Sequence, residues 1–149
     1  AAGINGMIAG QAVDIESEGK SIDIDTMKFI HSNKTGALIE ASIVAAAVMS
    51  DADDTRIAAL KTYAKYIGLA FQITDDILDI EGNEAELGKK IGSDELNDKA
   101  TYPKYFGLEK SKEYAKNTIT NAIESLNVFE PREKAFFVDL ADYIKKKKK

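Results

Sequence analysis

The run Phe71-Gln-Ile-Thr-Asp-Asp-Ile-Leu-Asp79 holds the densest chemistry in the chain. On a helix turning about 100° per residue, Gln72, Asp75, Asp76 and Asp79 fall within roughly 100° of arc, with Lys65 and Gly68 on the same stripe. The rest of the circumference carries Tyr66, Ile67, Leu69, Ala70, Phe71, Ile73, Ile77, Leu78 and Ile80. A surface helix has one apolar stripe; this one is apolar over most of its girth, which predicts burial. Its acids must then face something other than bulk water. Asp75 and Asp76 cannot both stay ionised in an apolar setting without a cation. Hard oxygen donors suit Mg²⁺, which keeps several waters and binds through one or two carboxylates plus substrate phosphates. A solvated acidic face is the competing reading. It is weakened by the apolar flanks and by the macrodipole, which disfavours carboxylates at a helix C-terminus.

Two further groups could handle an anion. His31-Ser-Asn-Lys34-Thr35-Gly36 lies inside a helical pattern, where Lys34 and Thr35 can offer an ammonium and a hydroxyl to a phosphate oxygen. An ordinary amphipathic face with a surface lysine is the plainer reading of that segment alone. His31 by itself reads as a hydrogen-bonded core histidine. Gly36 costs about 1 kcal/mol of helix propensity, so a packing reason is expected. The second group is Leu87-Gly-Lys89-Lys90-Ile-Gly-Ser-Asp94, followed by Asp98-Lys99-Ala-Thr101-Tyr102-Pro103. Its glycines and lysines suit a phosphate-gripping loop. The Walker spacing is absent, so a P-loop is excluded. A plain solvent loop is the alternative. A diphosphate would explain why a lysine loop directly follows an acidic helix.

The elements that must position these groups are helical. Between Ile4 and Ile80 there is no proline, and the apolar spacing follows helices rather than strands. Helices are predicted over 6–18, 26–50, 55–80, 109–126 and 132–146. Asp23 or Asp25 can cap the second, and Ser50–Asp54 forms a turn with a good N-cap. The small apolar tract Ala41–Met49 suits close helix contact. Residues 82–103 read as an irregular loop with room for short helical turns. The class is all-α, one domain of about five main helices with antiparallel neighbours.

Composition narrows the function. No cysteine occurs among 149 residues, which excludes thiolate catalysis and cysteine zinc sites. A single histidine excludes multi-histidine metal centres. The net charge is −5, yet five lysines form the last five residues; the body before them holds 15 basic against 25 acidic groups. Such a body is a poor nucleic-acid binder. The lysine tail reads as a solvated helix end. No apolar run reaches the roughly 18 residues that span a bilayer, so stable membrane insertion is not expected. No signal peptide is evident, and the start without Met reads as a cut.

Taken in order, these motifs resemble one family. Gly6-Met7-x-x-Gly10-Gln11-Ala12-x-Asp14, Glu18-Gly19-Lys20, His31-x-x-Lys34-Thr35-Gly36-Ala37-Leu38, Ile67–Gln72 with Asp75-Asp76-Ile77-Leu78-Asp79, Leu87-Gly88-Lys89-x-x-Gly92-x-Asp94, Lys99-x-Thr101-Tyr102-Pro103 and Ala141-Asp142-Tyr143-Ile144 stand at family spacing. Over about residues 5–144 the chain resembles the C-terminal half of a trans-isoprenyl diphosphate synthase, bacterial farnesyl diphosphate synthases most of all. Asn83, where the family often has Asp, is a small departure.

The resemblance implies the C-terminal portion of an isoprenoid-synthase helical bundle, with 1–149 as a single fragment. A first aspartate-rich motif, and most groups that grip isopentenyl diphosphate, would lie before Ala1. It implies a Mg²⁺-dependent prenyltransferase of the geranyltranstransferase type, joining an allylic diphosphate to isopentenyl diphosphate, with farnesyl diphosphate the expected product. Asp75, Asp76 and, less directly, Asp79 would hold Mg²⁺. Lys34, Lys89 and Lys99 would surround the diphosphate. Thr35 and Gln72 would hydrogen-bond its oxygens or stabilise the developing cation, and Phe71 would help exclude water. The full-length enzyme is expected to be a cytoplasmic homodimer. The chain alone is expected to be inactive and to show an uncovered apolar face. A terpene cyclase of the same fold and a non-catalytic helical subunit are the alternatives.

Overall fold

A computed structural model describes residues 1–81 and 99–146. Every regular element among them is helical. Helix α1 spans Met7–Ser17 and α2 spans Ile24–Ile30. Asp23 caps α2 as expected, its Oδ1 accepting the Thr26 amide at 2.7 Å. The chain then passes through a π-helical segment, His31–Gly36, into α3, Ala37–Met49. Ile30 and Ala37 keep right-handed helical backbone, so the rod is continuous. The predicted single helix over 26–50 is therefore present, but its middle winds more widely than an α-helix. Ser32, Asn33, Thr35 and Gly36 are all weak α-formers, which makes that the cheapest place for the change.

Asp51 turns the chain with φ of 53°, a conformation aspartate tolerates better than most residues. Asp53 Oδ1 accepts the Arg56 amide at 2.9 Å and starts α4, Asp54–Glu81. Helix α4 is the axis of the fold and packs against α3, the π segment and every later helix among the described residues. Tyr63, Ala64, Ile67, Gly68, Ala70, Ile73, Asp76 and Asp79 along it are buried, as its apolar girth predicts.

A short helix, α5 (Tyr102–Phe106), occupies the end of the segment read as irregular. Thr101 stands at its N-cap, and Pro103 fits the first turn, where its missing N–H costs nothing. Gly107, at φ of 79°, turns the chain into α6, Leu108–Ser125. Helix α7, Pro131–Lys146, closes the fold. Glu133 Oε2 accepts the Glu130 amide at 2.9 Å, giving α7 a capping contact at its start.

The main core lies between α4, α6 and α7, around Tyr63, Ile67, Ile119, Leu126 and Ile144. A smaller core of Met27, Ile73, Tyr102 and Ala115 ties α2 and α5 to α4 and α6. Tyr63 is fully enclosed and its hydroxyl donates to the Phe137 carbonyl at 2.6 Å. Tyr63→Phe should therefore cost about 1 kcal/mol in denaturant unfolding, the typical net value of one such bond. The Ala41–Met49 tract packs less closely than its composition suggests: Ala47 is buried, but Met49 is 86 % exposed. Ile8 and Ile15 on α1 are also exposed, so an uncovered apolar surface is present.

Candidate functional site

A cleft of about 190 Å³ opens between α1, the π segment, α4 and residues 99–101. Lys34, Thr35, Gln72, Asp75, Asp76 and Lys99 all line it. Six of the residues singled out from sequence thus meet around one space, although 65 positions separate Lys34 from Lys99. Asp79 does not reach the cleft; it is 2 % exposed, one further turn along α4. Phe71 packs against the main core rather than lining the cleft. Lys89, with the rest of the segment Gly88–Gly92, lies outside the described residues.

The π segment and α4 are seated backbone to backbone. A Cβ on Gly68 would stand 3.2 Å from the Gly36 Cα. This contact supplies the packing reason for a glycine in mid-helix. On the other side, a Cβ on Gly10 of α1 would stand 2.2 Å from the Lys34 amide nitrogen. The residues carrying Lys34 and Thr35 are therefore held between two glycine surfaces.

Lys34 Nζ donates to Asp14 Oδ2 at 2.6 Å. Asp14 of α1 and Glu18, just past its end, both line the cleft. Sequence reading quoted both acids in motifs but assigned neither a role. Their signal was present: Asp14, Ser17 and Glu18 share one face of a short helix by i, i+3 and i, i+4 spacing. Among the described residues, they and Asp75 and Asp76 bring four carboxylates to the wall, against Lys34 and Lys99. A cleft with that balance repels an anion unless cations enter with it.

Asp76 has two tasks. It lines the cleft, and its Oδ2 accepts the buried Tyr102 amide at 2.9 Å. That bond anchors the start of α5, which the Tyr105 hydroxyl also ties to the Ile22 carbonyl. Burial pushes the Tyr102 phenol up in pKa, and the Asp76 charge adds to the effect. Among the described residues, no three histidine, cysteine or acidic side chains are grouped to hold a metal on their own. Asp75 and Asp76 do fit the Mg²⁺ mode in which one or two carboxylates share the ion with substrate phosphates.

His31 is buried, as expected of a core histidine, but the expected hydrogen bond is missing: Nδ1 has no partner. Its ring stacks on Tyr102, centroids 5.8 Å apart and 17° from parallel. Burial pushes its pKa down to about 4; Asp14 opposes the shift and Lys34 adds to it. The ring lines both the cleft and a second cavity of about 440 Å³, walled by Tyr66, Leu69 and Tyr102. That cavity is larger, but Glu40 is the one carboxylate among its described lining residues, which favours the smaller cleft as the site suited to cation-mediated chemistry.

Comparison with known proteins identifies the family. The family profile described as polyprenyl synthetase matches residues 1–138. A farnesyl diphosphate synthase of Geobacillus stearothermophilus is 49 % identical over 113 residues, covering 76 % of this chain and 38 % of its own length. A chloroplastic geranylgeranyl pyrophosphate synthase of Catharanthus roseus is 44 % identical over 143 residues, covering 95 % of this chain and 40 % of its own. Among solved structures, a Helicobacter pylori geranyltransferase complexed with magnesium and isoprenyl diphosphate superposes with a TM-score of 0.77 at 30 % identity. That match covers 95 % of this chain and 46 % of the other. The chain thus spans less than half the length of these relatives. Among the described residues, no helix is long and apolar enough to cross a membrane.

Proposed function

The chain belongs to the polyprenyl synthetase family, and from that premise we propose that its cleft is the diphosphate-binding half of a trans-prenyltransferase active site. The observation that carries this reading is the meeting of Lys34, Thr35, Gln72, Asp75, Asp76 and Lys99 around one space. An allylic diphosphate placed there meets Lys34 and Lys99 as cations and Thr35 and Gln72 as hydrogen-bonding groups. Asp75 and Asp76 would hold Mg²⁺ against its oxygens, and Asp79 would support that end of α4 from within. Lys89, grouped with them in the sequence, would add its charge.

The chemistry follows from where charge develops. When bound, Mg²⁺ stabilises the diphosphate as the allylic C–O bond breaks. Lys34 and Lys99 act on the same leaving oxygens, a preorganised electrostatic effect. The apolar side chains Ile22, Met27 and Ile30 on the cleft wall keep water from the carbocation. The double bond of isopentenyl diphosphate then supplies the electron pair for the new C–C bond. A proton leaves the adjoining carbon, and the departed diphosphate accepts it.

In this reading the chain needs a second set of carboxylates from other helices, and the exposed Ile8, Ile15 and Met49 support a surface that such helices cover. The synthase is proposed to be a cytoplasmic homodimer. Farnesyl diphosphate is the proposed product; relatives named for farnesyl and for geranylgeranyl diphosphate both match, so product analysis decides.

The test supplies geranyl diphosphate and Mg²⁺ to a synthase carrying this chain, with and without isopentenyl diphosphate. Chain elongation that requires isopentenyl diphosphate is the expected result. Hydrocarbon released without it would instead make the protein a terpene cyclase. No turnover of either kind would leave a non-catalytic helical subunit. The isolated chain should bind inorganic diphosphate only with Mg²⁺ present and should not turn over.

A further inference from the structure

Lys34 is held by α1 at two points, and the two points lie one helical turn apart. At Gly10 the contact is main chain on main chain: a Cβ there would stand 2.2 Å from the Lys34 nitrogen and 2.8 Å from both the Asn33 carbonyl carbon and the Lys34 Cα. Contacts under about 3 Å to backbone cannot be relieved by turning a side chain, so only glycine fits. At Asp14, four residues on and on the same face, the carboxylate takes the ammonium of the same lysine at 2.6 Å. The pair is mostly shielded, with 34 % and 18 % of the two side chains exposed.

Between these points the lysine lies in a π turn, a rare i→i+5 winding that occurs mostly as a single turn inside an α-helix. Helix α1 supports it there from both the backbone and the side-chain end. We propose that Gly10 and Asp14 are a positioning pair for Lys34: Gly10 seats its backbone, and Asp14 aims and holds its ammonium at the cleft wall. Neither is a catalytic residue. A ligand anion that recruits Lys34 must share the ammonium with Asp14 or displace it. The proposal takes the purpose of Lys34 from the function proposed above, but the hold itself can be tested without any ligand.

The test is lysine reactivity along the intact chain, read by mass spectrometry after brief acetylation. In Asp14→Asn, labelling at Lys34 should rise roughly threefold, the scale of releasing a moderately shielded ion pair. Asp14→Glu should return it most of the way. Glu40→Gln, which removes the partner of Lys61 at 3.5 Å, should raise labelling at Lys61 and leave Lys34 unchanged. Gly10→Ala should alter Lys34 labelling with helical circular dichroism retained; if that variant fails to fold, the Asp14 series decides alone. A Lys34 rate in Asp14→Asn equal to the parent's overturns the proposal, as does an equal response to Glu40→Gln. A separate arm adds inorganic diphosphate with Mg²⁺. Protection of Lys34 is expected; its absence counts against the diphosphate reading of the cleft while the ligand-free rates still judge the hold.

Discussion

Alanine at Asp75 lowers turnover of a synthase carrying this chain by about 100-fold or more, the scale of losing one preorganised stabiliser of developing charge. Asp75 lines the cleft, whereas the bond to the Tyr102 amide belongs to Asp76. Removing it takes away an oxygen donor for Mg²⁺ and leaves the start of α5 in place. The loss should therefore fall on kcat and on the Mg²⁺ concentration needed for half activity, with thermal unfolding changed less than in Asp76→Ala. Asp76→Ala makes an instructive contrast. It also strips the buried Tyr102 amide of its acceptor at 2.9 Å. An unsatisfied buried N–H costs about 1–3 kcal/mol, so this variant should lose stability as well as activity. Near-parental kcat in Asp75→Ala, measured at saturating substrates, would remove Asp75 from the chemistry.

Acid should destabilise the chain through His31. Its folded pKa, about 4, lies below its ordinary 6.5 because burial opposes the charged ring. As pH falls, the unfolded chain takes up the proton first. Stability present above pH 6.5 is then lost steadily down to about pH 4. From pH 7 to about 4.5 the loss is on the order of 2 kcal/mol. Carboxylates titrate over part of this range too, so the comparison must be made within a pair. His31→Phe keeps a ring against Tyr102 and has no proton to bind. Urea midpoints at both pH values should fall less in that variant than in the parent. Equal falls would show that His31 takes no part in the acid response.

Much of the architecture was legible because its signals are local. The boundaries of α1, α4, α6 and α7 follow from apolar periodicity and from caps at Asp53, Pro131 and Glu133 that lie within a few residues of what they stabilise. The burial of α4 was legible from the circumference of one helix. What escaped notice depends on neighbours distant in sequence. The π turn at His31–Gly36 needs the seats at Gly10 and Gly68, neither of which can be paired with it from spacing. Helix α5 relies on the acceptor at Asp76, 26 positions earlier. His31 was expected to find a hydrogen-bond partner, but the stacked Tyr102 ring offers none.

The candidate site divides along the same line. Residue types and helical phase alone mark Gln72, Asp75 and Asp76 as one acidic stripe that calls for a cation, since 100° per residue is a property of any α-helix. They also make Asp79 a member of that stripe. Tertiary packing separates it, because phase sets direction around an axis and says nothing of what covers each turn along it. The same packing brings Lys99 across to Lys34, sets Phe71 against the core, and gives Lys34 its partner Asp14. Periodicity is written in the backbone's own geometry, whereas which turn is roofed and which stays open is settled only when separate helices exclude water from one another.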